Sequence, residues 1–477
     1  MVRVGIVGGG VAGLTAAHEV RRQLGDAVSI TVFDQADRVG GKLRTVELAG
    51  RRVDVGAEAF VSRRREAFEL IDELGLGGEL VHPAAGVSPA VHAGGRTVGL
   101  PPRTFLGVPG DPSKLADVLS AEAAALAAAE AALPPVELGD EDVSVGRLLA
   151  ERFGPEVVRR LVEPLLGGVY AGRADDLGLR ATMGPLADAL DKGATSITAA
   201  ANAAMGPPPA PGSTRPPVFG TLRDGLGGLV DALAASSAAE LRLGTTVRAL
   251  HRTAHGWRVE TGPVPSPEFF EFDAVVVAAP SPAARKLFEP IAPVAAAGYA
   301  RIDVASMAVV SLALPPGTEL PRTSGALIAL GEEHADGTPF TAKAFTYSSR
   351  KWGHLGGDTV LLRASVGRFG EVGALQREDS ELVAAVLADL TELSGLTVKP
   401  VDVVVQRWGG GLPQYGVGHL SAVADIRRAV AELPGLAVAG ATLAGVGVPA
   451  CVLTGRQAAT RVVEHLRAGA TMDAWRA

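Results

Sequence analysis

A short apolar run near the N-terminus leads directly into a glycine-rich turn, and this junction restricts the fold more than any other stretch. Val2 to Val7 has the β-branched character of a buried strand, and Gly8-x-Gly10-x-x-Gly13 follows at once. Gly8 permits a tight turn, Gly10 lets main chain approach a pyrophosphate, and Gly13 lets the next helix pack on the strand. The pattern predicts a strand, a phosphate-binding turn and a helix, the first unit of a dinucleotide-binding fold.

The acidic residue that such a fold uses for a ribose stands at the expected place. We predict a helix from Val11 to Leu24 and a second strand from Ser29 to Phe33, which ends at Asp34. Asp34 lies about 20 residues beyond the last glycine, the spacing at which a carboxylate accepts hydrogen bonds from an adenosine ribose. The N–H groups at the start of the helix would face the phosphates.

Length, charge and cysteine content exclude several classes of protein. A chain of 477 residues predicts about two to four domains or subdomains. The net charge of −7 and the absence of a basic block argue against nucleic acid as the main partner. A single cysteine, Cys451, excludes an internal disulfide framework and indicates a reducing compartment, so we expect a cytoplasmic location.

Targeting and membrane-spanning segments are not expected. The first strand begins at Val2, which leaves no room for a cleaved signal peptide, and no run of about 18 uncharged apolar residues occurs. The Ala-rich stretch from Leu115 to Leu133 contains acidic residues and is interpreted as a packed helix.

Segments after residue 204 predict a connector and further strands and helices. Asp273 to Ala279 is an almost continuous apolar run, typical of a central parallel strand buried on both faces. Met205 to Pro217 is rich in proline and predicts an exposed connector. Further strands are predicted at Thr245 to Leu250, Trp257 to Thr261, Met307 to Leu314, Phe340 to Tyr347 and Thr359 to Val366, with helices at Leu229 to Ala239, Asp379 to Leu393 and Cys451 to Leu466.

Several segments, taken in order, identify a family. They are VGGGVAGLTAAHEV at the N-terminus, DQADRVGGKLRT from Asp34, EPLLGGVYAG from Glu163, KWGHLGGDTVLLRASVGR from Lys351, QRWGGGLPQYGVGH from Gln406, and VAGATLAGVGVPACVLTGRQAA from Val438. Together they resemble the FAD-dependent porphyrinogen oxidases, within the larger flavin amine oxidase and phytoene desaturase superfamily. The last three segments are the specific ones.

The resemblance implies an α/β fold with three units. A Rossmann-like FAD-binding domain would be assembled from discontinuous segments 1–84, 218–285 and 424–477. An α+β substrate-binding domain would comprise 85–100 and 286–423, and a mostly helical subdomain 101–205. Residues 206–217 would form the Pro-rich linker.

With FAD as the implied cofactor, the segments above supply its expected contacts. The assigned residues are Gly8, Gly9, Gly10, Val11, Ala12, Gly13, Asp34, Gln35, Arg38, Gly41, Lys42, Gly56, Ala57, Glu58, Ala59, Val247, Trp408, Val446, Gly447 and Val448. Ala57 and Glu58 depart from the Pro and Asp that the family more usually has at its second flavin contact.

Some of these residues have a second interpretation that the sequence leaves open. Arg38 to Lys42 could grip the pyrophosphate opposite the first turn, or form a solvated turn. Val247, on a predicted strand, could lie against the adenine or be an ordinary sheet residue. Trp408 could stack near the isoalloxazine ring or be a core residue. Gly445 to Val448 precedes a predicted helix, whose N–H groups could face the flavin pyrimidine edge.

The resemblance also implies the chemistry. A porphyrinogen would lose hydride to the flavin, and dioxygen would take the electrons and leave as hydrogen peroxide. No side chain is assigned a catalytic role, because the flavin carries the reaction. His251 and His255 have zinc-like spacing but lack a second ligand pair, so we expect no metal.

Substrate charge suggests where the macrocycle would bind. Porphyrinogens carry propionates, two on the proto form and four on the copro form, so basic groups should line their site. Arg64 is the favoured candidate among three consecutive arginines, although it could equally begin a solvated helix. Tyr170 could face the ring or belong to the core.

Several functions stay open at this point. The favoured one is oxidation of coproporphyrinogen III in haem biosynthesis, because the chain resembles the branch of the family without a membrane anchor. The alternatives are protoporphyrinogen IX oxidation, another flavin amine oxidase or carotenoid desaturase, and a non-catalytic binding protein like the GDP-dissociation inhibitors. The expected partners are the porphyrinogen, dioxygen and, transiently, the next enzyme of the haem pathway.

Overall fold

A computed structural model describes residues 1–207 and 217–476, with side chains to residue 469. The part of the predicted Pro-rich linker at 208–216 lies outside the described residues. The α/β character of the chain is confirmed, whereas the limits of the three predicted domains stay a prediction.

The strands, in chain order, are β1 (Val2–Val7), β2 (Val28–Phe33), β3 (Thr45–Leu48), β4 (Arg51–Asp54), β5 (Phe60–Val61), β6 (Leu80–Val81), β7 (Ala90–Ala93), β8 (Arg96–Gly99), β9 (Thr104–Phe105), β10 (Val108–Pro109), β11 (Phe219–Leu222), β12 (Glu240–Arg242), β13 (Ala249–Arg252), β14 (Trp257–Thr261), β15 (Glu268–Phe272), β16 (Ala274–Val277), β17 (Val304–Leu314), β18 (Gly325–Ile328), β19 (Ala342–Thr346), β20 (Val360–Val366), β21 (Asp402–Pro413) and β22 (Leu436–Val438).

The α-helices are α1 (Val11–Leu24), α2 (Arg65–Glu73), α3 (Ala121–Ala128), α4 (Val145–Phe153), α5 (Pro155–Val157), α6 (Glu163–Tyr170), α7 (Leu179–Thr182), α8 (Gly184–Asp191), α9 (Ile197–Met205), α10 (Gly227–Ser237), α11 (Ser281–Phe288), α12 (Pro293–Ala300), α13 (Ser348–Lys351), α14 (Asp379–Ser394), α15 (His419–Ala431), α16 (Ala441–Ala444) and α17 (Val448–Arg476).

A parallel sheet forms the centre of the nucleotide-binding unit. Among the described residues its strand order is β12-β2-β1-β16-β22, so strands far apart in sequence lie side by side. Every residue of β16 is buried, because helices or other strands cover both faces of the sheet. The prediction of a central strand from the apolar run at 273–279 is confirmed.

Helices α1 and α17 cover one face of this sheet. Small residues on α1, such as Ala16 and Ala17, let it lie close to Val4 and Ile30, and Val462 of α17 joins the same core. Burying each of these valine and isoleucine side chains contributes about 1.5–3 kcal/mol, so this layer fixes the orientation of the helix that starts at the glycine turn.

A mixed sheet and a helical layer build the rest of the molecule. In the described residues the larger sheet has the order β21-β17-β20-β19-β18-β7-β8, and only the β18–β7 pair in it is parallel. Helices α3 to α9 share one core with β7 and the short strands β9 and β10. Ser144 is the N-cap of α4, and its hydroxyl accepts the Arg147 N–H at 3.2 Å.

Three sequence-based expectations were wrong in detail. The stretch from Leu115 to Leu133 is not one helix, and α3 occupies only its middle. Val247 lies in a loop rather than on a strand, because the chain turns at Gly244 and crosses the sheet edge before β13 begins. The last helix starts at Val448 rather than Cys451, since Gly447 O accepts the Cys451 N–H in its first turn.

In the described residues, no helix combines the length and the apolar character needed to cross a membrane.

Candidate active site

An elongated cavity of about 450 Å³ opens where the parallel strands end. Gly8 follows β1, Asp34 follows β2, Ala278 follows β16 and Gly440 lies just beyond β22, and all four border it. The carboxyl edge of a parallel sheet is where ligands bind in such folds, because helix N-termini and loops converge there.

The glycine turn shapes one end of this cavity. Gly8 has φ +109°, a conformation that favours glycine, and its N–H bonds to Phe33 O at 2.8 Å. A Cβ on Gly13 would lie 2.0 Å from the Gly8 carbonyl oxygen, so no larger residue fits between turn and helix. Helix α1 begins at Val11, directly after the lining residue Gly10, and the free N–H groups of a helix N-terminus favour a bound phosphate.

Asp34 is held by the turn that it faces. Its carboxylate accepts the Gly9 N–H at 2.7 Å and the Ala36 N–H at 2.8 Å. A carboxylate has about four lone-pair sites, so Asp34 can still accept bonds from ribose hydroxyls. Gln35 lines the cavity beside it.

Two cations from the next loop face the same space. Arg38 donates to Gly41 O at 2.7 Å and Val39 O at 3.0 Å, and its guanidinium lies 5.7 Å from the centre of the Trp408 ring. Burial lowers the pKa of Arg38 and of the neighbouring Lys42. Arg38, Gly41, Lys42 and Trp408 all line the cavity, so positive charge lies close to the glycine turn.

The predicted second flavin contact, 56–59, lies behind this wall. A Cβ on Gly56 would lie 1.9 Å from Lys42 O, and the Ala57 N–H bonds to that same oxygen at 3.1 Å. Ala59, half-buried, comes directly before β5. None of residues 56–59 lines the cavity, and Gly56 and Ala57 lie against the carbonyl oxygen of Lys42, which does.

Glu58 belongs instead to a buried ion-pair cluster. Its carboxylate lies 2.5 Å from Lys351 Nζ and 3.2 Å from Arg363 Nε. Burial alone would raise the pKa of Glu58, but Arg363 and Lys351 outweigh it and hold the value at about 2. Glu58 is therefore ionised and already paired with two cations, and it does not line the large cavity.

The C-terminal glycine segment forms the opposite wall. Gly440 to Thr442 line the cavity, whereas Val446 packs on the helical core and Val448 is buried. The Tyr415 hydroxyl donates to Ala441 O at 2.5 Å and accepts the Gly445 N–H at 2.7 Å. Tyr415 thus links the two ends of α16, the short helix that leads into the turn at Val446 and Gly447.

Cys451 sits just behind this turn, in the first turn of α17. The thiol is buried, and burial raises its pKa to about 11.

Of the two predicted substrate residues, Arg64 lies near Gly445 of the C-terminal turn and Tyr170 lies against Tyr415. A Cβ on Gly445 would lie 3.7 Å from Arg64 Nη1, and Arg64 Nη2 pairs with Glu66 at 3.1 Å. Tyr170 is buried with its ring 5.5 Å from that of Tyr415. The structure brings both residues near the C-terminal turn, although neither lines the cavity.

Of the predicted cofactor residues, nine line the cavity, namely Gly8, Gly10, Asp34, Gln35, Arg38, Gly41, Lys42, Val247 and Trp408. Sequence reasoning did not assign several further lining residues, among them Thr245, Ala278 to Pro280, Gly409 to Gly411 and Gly440 to Thr442. Most of them directly follow a strand of the parallel sheet, and that position is the signal that could have found them.

Of the two histidines with zinc-like spacing, His251 and His255, the first bonds to a carboxylate. His251 Nε2 lies 3.0 Å from the Glu260 carboxylate on the neighbouring strand. Within residues 1–207 and 217–476, no three His, Cys, Asp or Glu side chains are grouped so as to hold a metal ion.

The model of a protein family, described as flavin containing amine oxidoreductase, matches residues 11–463. The chain belongs to this family.

Two relatives and one solved structure resemble this flavin-containing amine oxidoreductase along nearly its whole length. The coproporphyrinogen III oxidase of Mycobacterium tuberculosis is 44% identical over 97% of this chain and 98% of that protein. The coproporphyrinogen III oxidase of Bacillus subtilis is 29% identical over 97% and 98%. A crystal structure from Exiguobacterium sp. 255-15, described as a protoporphyrinogen oxidase, has TM-score 0.84 and 29% identity over 98% of this chain and 99% of that one.

The cofactor of this flavin-containing amine oxidoreductase is FAD, and the cavity fits it. The glycine turn without a Cβ, the ribose-side carboxylate of Asp34 and the cations Arg38 and Lys42 match a diphosphate and ribose. Apolar and glycine-rich walls at Trp408 to Gly411 suit a flat ring. When bound, FAD supplies the hydride acceptor that the side chains of the site lack.

Proposed function

We propose that the chain oxidises coproporphyrinogen III to coproporphyrin III in haem biosynthesis, with dioxygen as the final electron acceptor. In each step the macrocycle loses a hydride and a proton, and a dioxygen molecule takes up both to become hydrogen peroxide. The observation that supports this substrate is the 44% identity, over almost the full length, to relatives named for it.

The residues of this chain bind and position the reactants. The glycine turn, Asp34, Arg38 and Lys42 would hold the FAD diphosphate and ribose, with Gly9, Val11, Ala12 and Gly13 shaping the turn and Val247 near the adenine end. Trp408 and the segment 440–448 would flank the flavin end, and residues 56–59 would support that wall. Arg64 and Tyr170, beside Gly445, would face the substrate.

Protoporphyrinogen IX is the second candidate substrate. The resemblance to the Exiguobacterium structure described as a protoporphyrinogen oxidase favours it. A cytoplasmic location and a transient contact with the enzyme that receives the porphyrin belong to the same proposal.

The two substrates can be compared directly. Purified holoprotein is given coproporphyrinogen III or protoporphyrinogen IX in air, and porphyrin fluorescence and peroxide are followed against the uncatalysed rate. Protein stripped of FAD and then reconstituted is the matched control. We expect coproporphyrinogen III to be oxidised faster than protoporphyrinogen IX, with hydrogen peroxide formed in proportion to the porphyrin. No acceleration with either substrate would refute the proposal, and a preference for the proto form would reverse the choice of substrate.

A further inference from the structure

Lys343 is an irregular residue of the larger sheet. In the β19–β20 ladder, Ala342 pairs with Val366 and Ala344 pairs with Ser365, so Lys343 is the extra residue of a bulge. A bulge changes the direction in which a side chain points, and bulges often occur beside functional sites.

Arg368, just beyond β20, extends its side chain toward the level of Lys343 in the sheet. Its Nη2 donates to Ile328 O on β18 at 3.4 Å, which carries the guanidinium across β19. Leu327 pairs with Ala344, so Ile328 stands level with Lys343. A Cβ on Gly167 of α6 would lie 3.8 Å from Arg368 Nε, so α6 covers this group.

Each cation keeps a buried donor without a hydrogen-bond partner in the described part of the chain. Lys343 is only 3% exposed, and its Nζ has no hydrogen-bond partner there; Arg368 Nε also lacks one. Burial, reinforced by the charge of Arg368, lowers the pKa of Lys343 to about 7.

The carboxylates nearby have other bonds. Glu371 pairs with Arg173, and Glu163 on α6 accepts the Ala174 N–H at 2.6 Å. Burial raises the pKa of Glu163. Each of these carboxylates therefore has a hydrogen-bond or ion-pair partner other than Lys343 and Arg368.

An unpaired buried cation is costly, and a bound anion offsets part of that cost. The same helix offers an approach, because Gly168 is exposed and a Cβ there would meet only Leu327, at 4.0 Å. Tyr170, two residues further along α6, has its ring 5.5 Å from that of Tyr415, whose hydroxyl accepts the Gly445 N–H of the C-terminal turn.

We propose that Lys343 and Arg368 form a receptor for one carboxylate of the substrate, a propionate of the porphyrinogen macrocycle. The inference rests on the proposed function and names the groups that read the charge of its substrate. The Arg368 guanidinium would donate a directed N–H bond to this carboxylate, and the Lys343 ammonium would add a positive point charge.

The test compares Lys343→Met and Arg368→Gln with Lys286→Met, which removes an exposed lysine of α11. Steady-state oxidation of coproporphyrinogen III gives KM and kcat, and quenching of porphyrin fluorescence gives the Kd of coproporphyrin III and of its tetramethyl ester, whose propionates are uncharged. Flavin absorbance and circular dichroism establish that each variant is folded and loaded.

We expect KM and Kd to rise about tenfold or more in the two site variants, with a smaller change in kcat and none in Lys286→Met. The ester should bind wild type and site variants alike. Kd values for coproporphyrin III within twofold of wild type in both site variants would overturn the inference. A wild type that neither oxidises nor binds these porphyrins would overturn the proposed function, and the inference with it; an active wild type with unchanged variants would overturn the inference alone.

Discussion

Buried charges in this molecule differ in how completely they are paired. Glu58 has two cations within ion-pair distance, whereas Lys343 has no partner in the described residues. A buried ion pair contributes little net stability, but removing one partner leaves the other exposed to the full cost of desolvation. The two residues should therefore respond to substitution in opposite ways.

Glu58→Gln should destabilise the protein strongly. The amide would leave Lys351 and Arg363 facing each other without an anion, at a cost of about 3–5 kcal/mol in the free energy of unfolding. Denaturant unfolding of the holoprotein measures it. Glu289→Gln breaks an exposed pair with Arg285 and should cost at most about 1 kcal/mol. Equal effects of the two substitutions would contradict this prediction.

Lys343→Met should stabilise the protein, and the gain should depend on pH. Burial and Arg368 lower the pKa of Lys343 from 10.5 to about 7, so between those values only the unfolded chain binds this proton. The stability of the wild type therefore rises with pH across that window, and the penalty is fully present below it. The wild type and the Lys343→Met variant share the same neighbouring charges, which are those of Arg368, Arg173, Glu371 and Glu163.

Thermal unfolding at several pH values measures the difference. We expect Lys343→Met to gain about 1–4 kcal/mol at pH 6, and the gap to shrink as the pH approaches 10. A gap that is constant with pH would show that Lys343 titrates normally in the folded protein.

Single residues were predictable where the signal is local. Asp34 follows from its spacing to the glycine turn, and its position at the strand end is as expected. Lys343 could not be found in this way, because its bulge depends on the register of β19 against β20. Glu58 was assigned to FAD by resemblance, and its two cationic partners, some 290 to 305 residues away in sequence, were not foreseen.

Among the helices and strands too, those with a local sequence signal were predictable and those that depend on tertiary contacts were not. The β1–α1–β2 unit was predictable because β-branched runs and a glycine turn indicate strand, turn and helix without tertiary information. β12 gave no such signal, since it has only three residues, two of them charged, and it becomes a strand by pairing with β2. The wrong strand assignment at Val247 has the same cause, because sheet contacts decided where β13 begins.

Gly13→Ala should abolish tight FAD binding. The new Cβ would lie 2.0 Å from Gly8 O, so turn and helix would have to separate, at a cost of about 1–3 kcal/mol or more. Flavin content after purification and the Kd of added FAD measure the effect. Gly99→Ala meets nothing within 4 Å and should bind FAD like the wild type. A yellow, fully loaded Gly13→Ala protein would argue against this turn as the diphosphate site.

Tyr415→Phe should weaken FAD binding without unfolding the protein. The substitution removes the hydroxyl that bridges Ala441 O and Gly445 N, and two neutral hydrogen bonds are worth about 1–3 kcal/mol, roughly tenfold or more in Kd. A shift of the flavin absorption spectrum should accompany the loss. Tyr299→Phe, at a buried tyrosine of another core, should change neither. Unchanged affinity and spectrum in Tyr415→Phe would show that the turn holds its shape without the bridge.

At the scale of the whole molecule, the LPQYGVGH segment joins three parts of the structure. Gln414 Nε2 donates to Tyr170 O on the helical layer at 2.8 Å, and Tyr415 O accepts the Gly178 N–H at 2.8 Å. The Tyr415 hydroxyl reaches the C-terminal turn. A motif that identified the family in sequence thus connects the helical layer, the larger sheet and the cofactor wall.

The cofactor itself should stabilise the assembly, because its cavity is lined from residue 7 to residue 442. Adding FAD to the stripped protein at about 100 times its Kd should raise the free energy of unfolding by about 2.7 kcal/mol. Calorimetry with riboflavin, which lacks the adenine and diphosphate, as the control ligand would measure this. An equal effect of riboflavin would mean that the glycine turn does not take part.

The burial of Cys451 has a consequence for the lifetime of the enzyme. A thiol reacts with oxidants as the thiolate, and a pKa of about 11 keeps this one protonated at neutral pH. If Cys451 were a thiolate, the hydrogen peroxide that the proposed reaction releases could convert it to sulfenic acid. Burial therefore keeps the one cysteine of the chain in its unreactive thiol form.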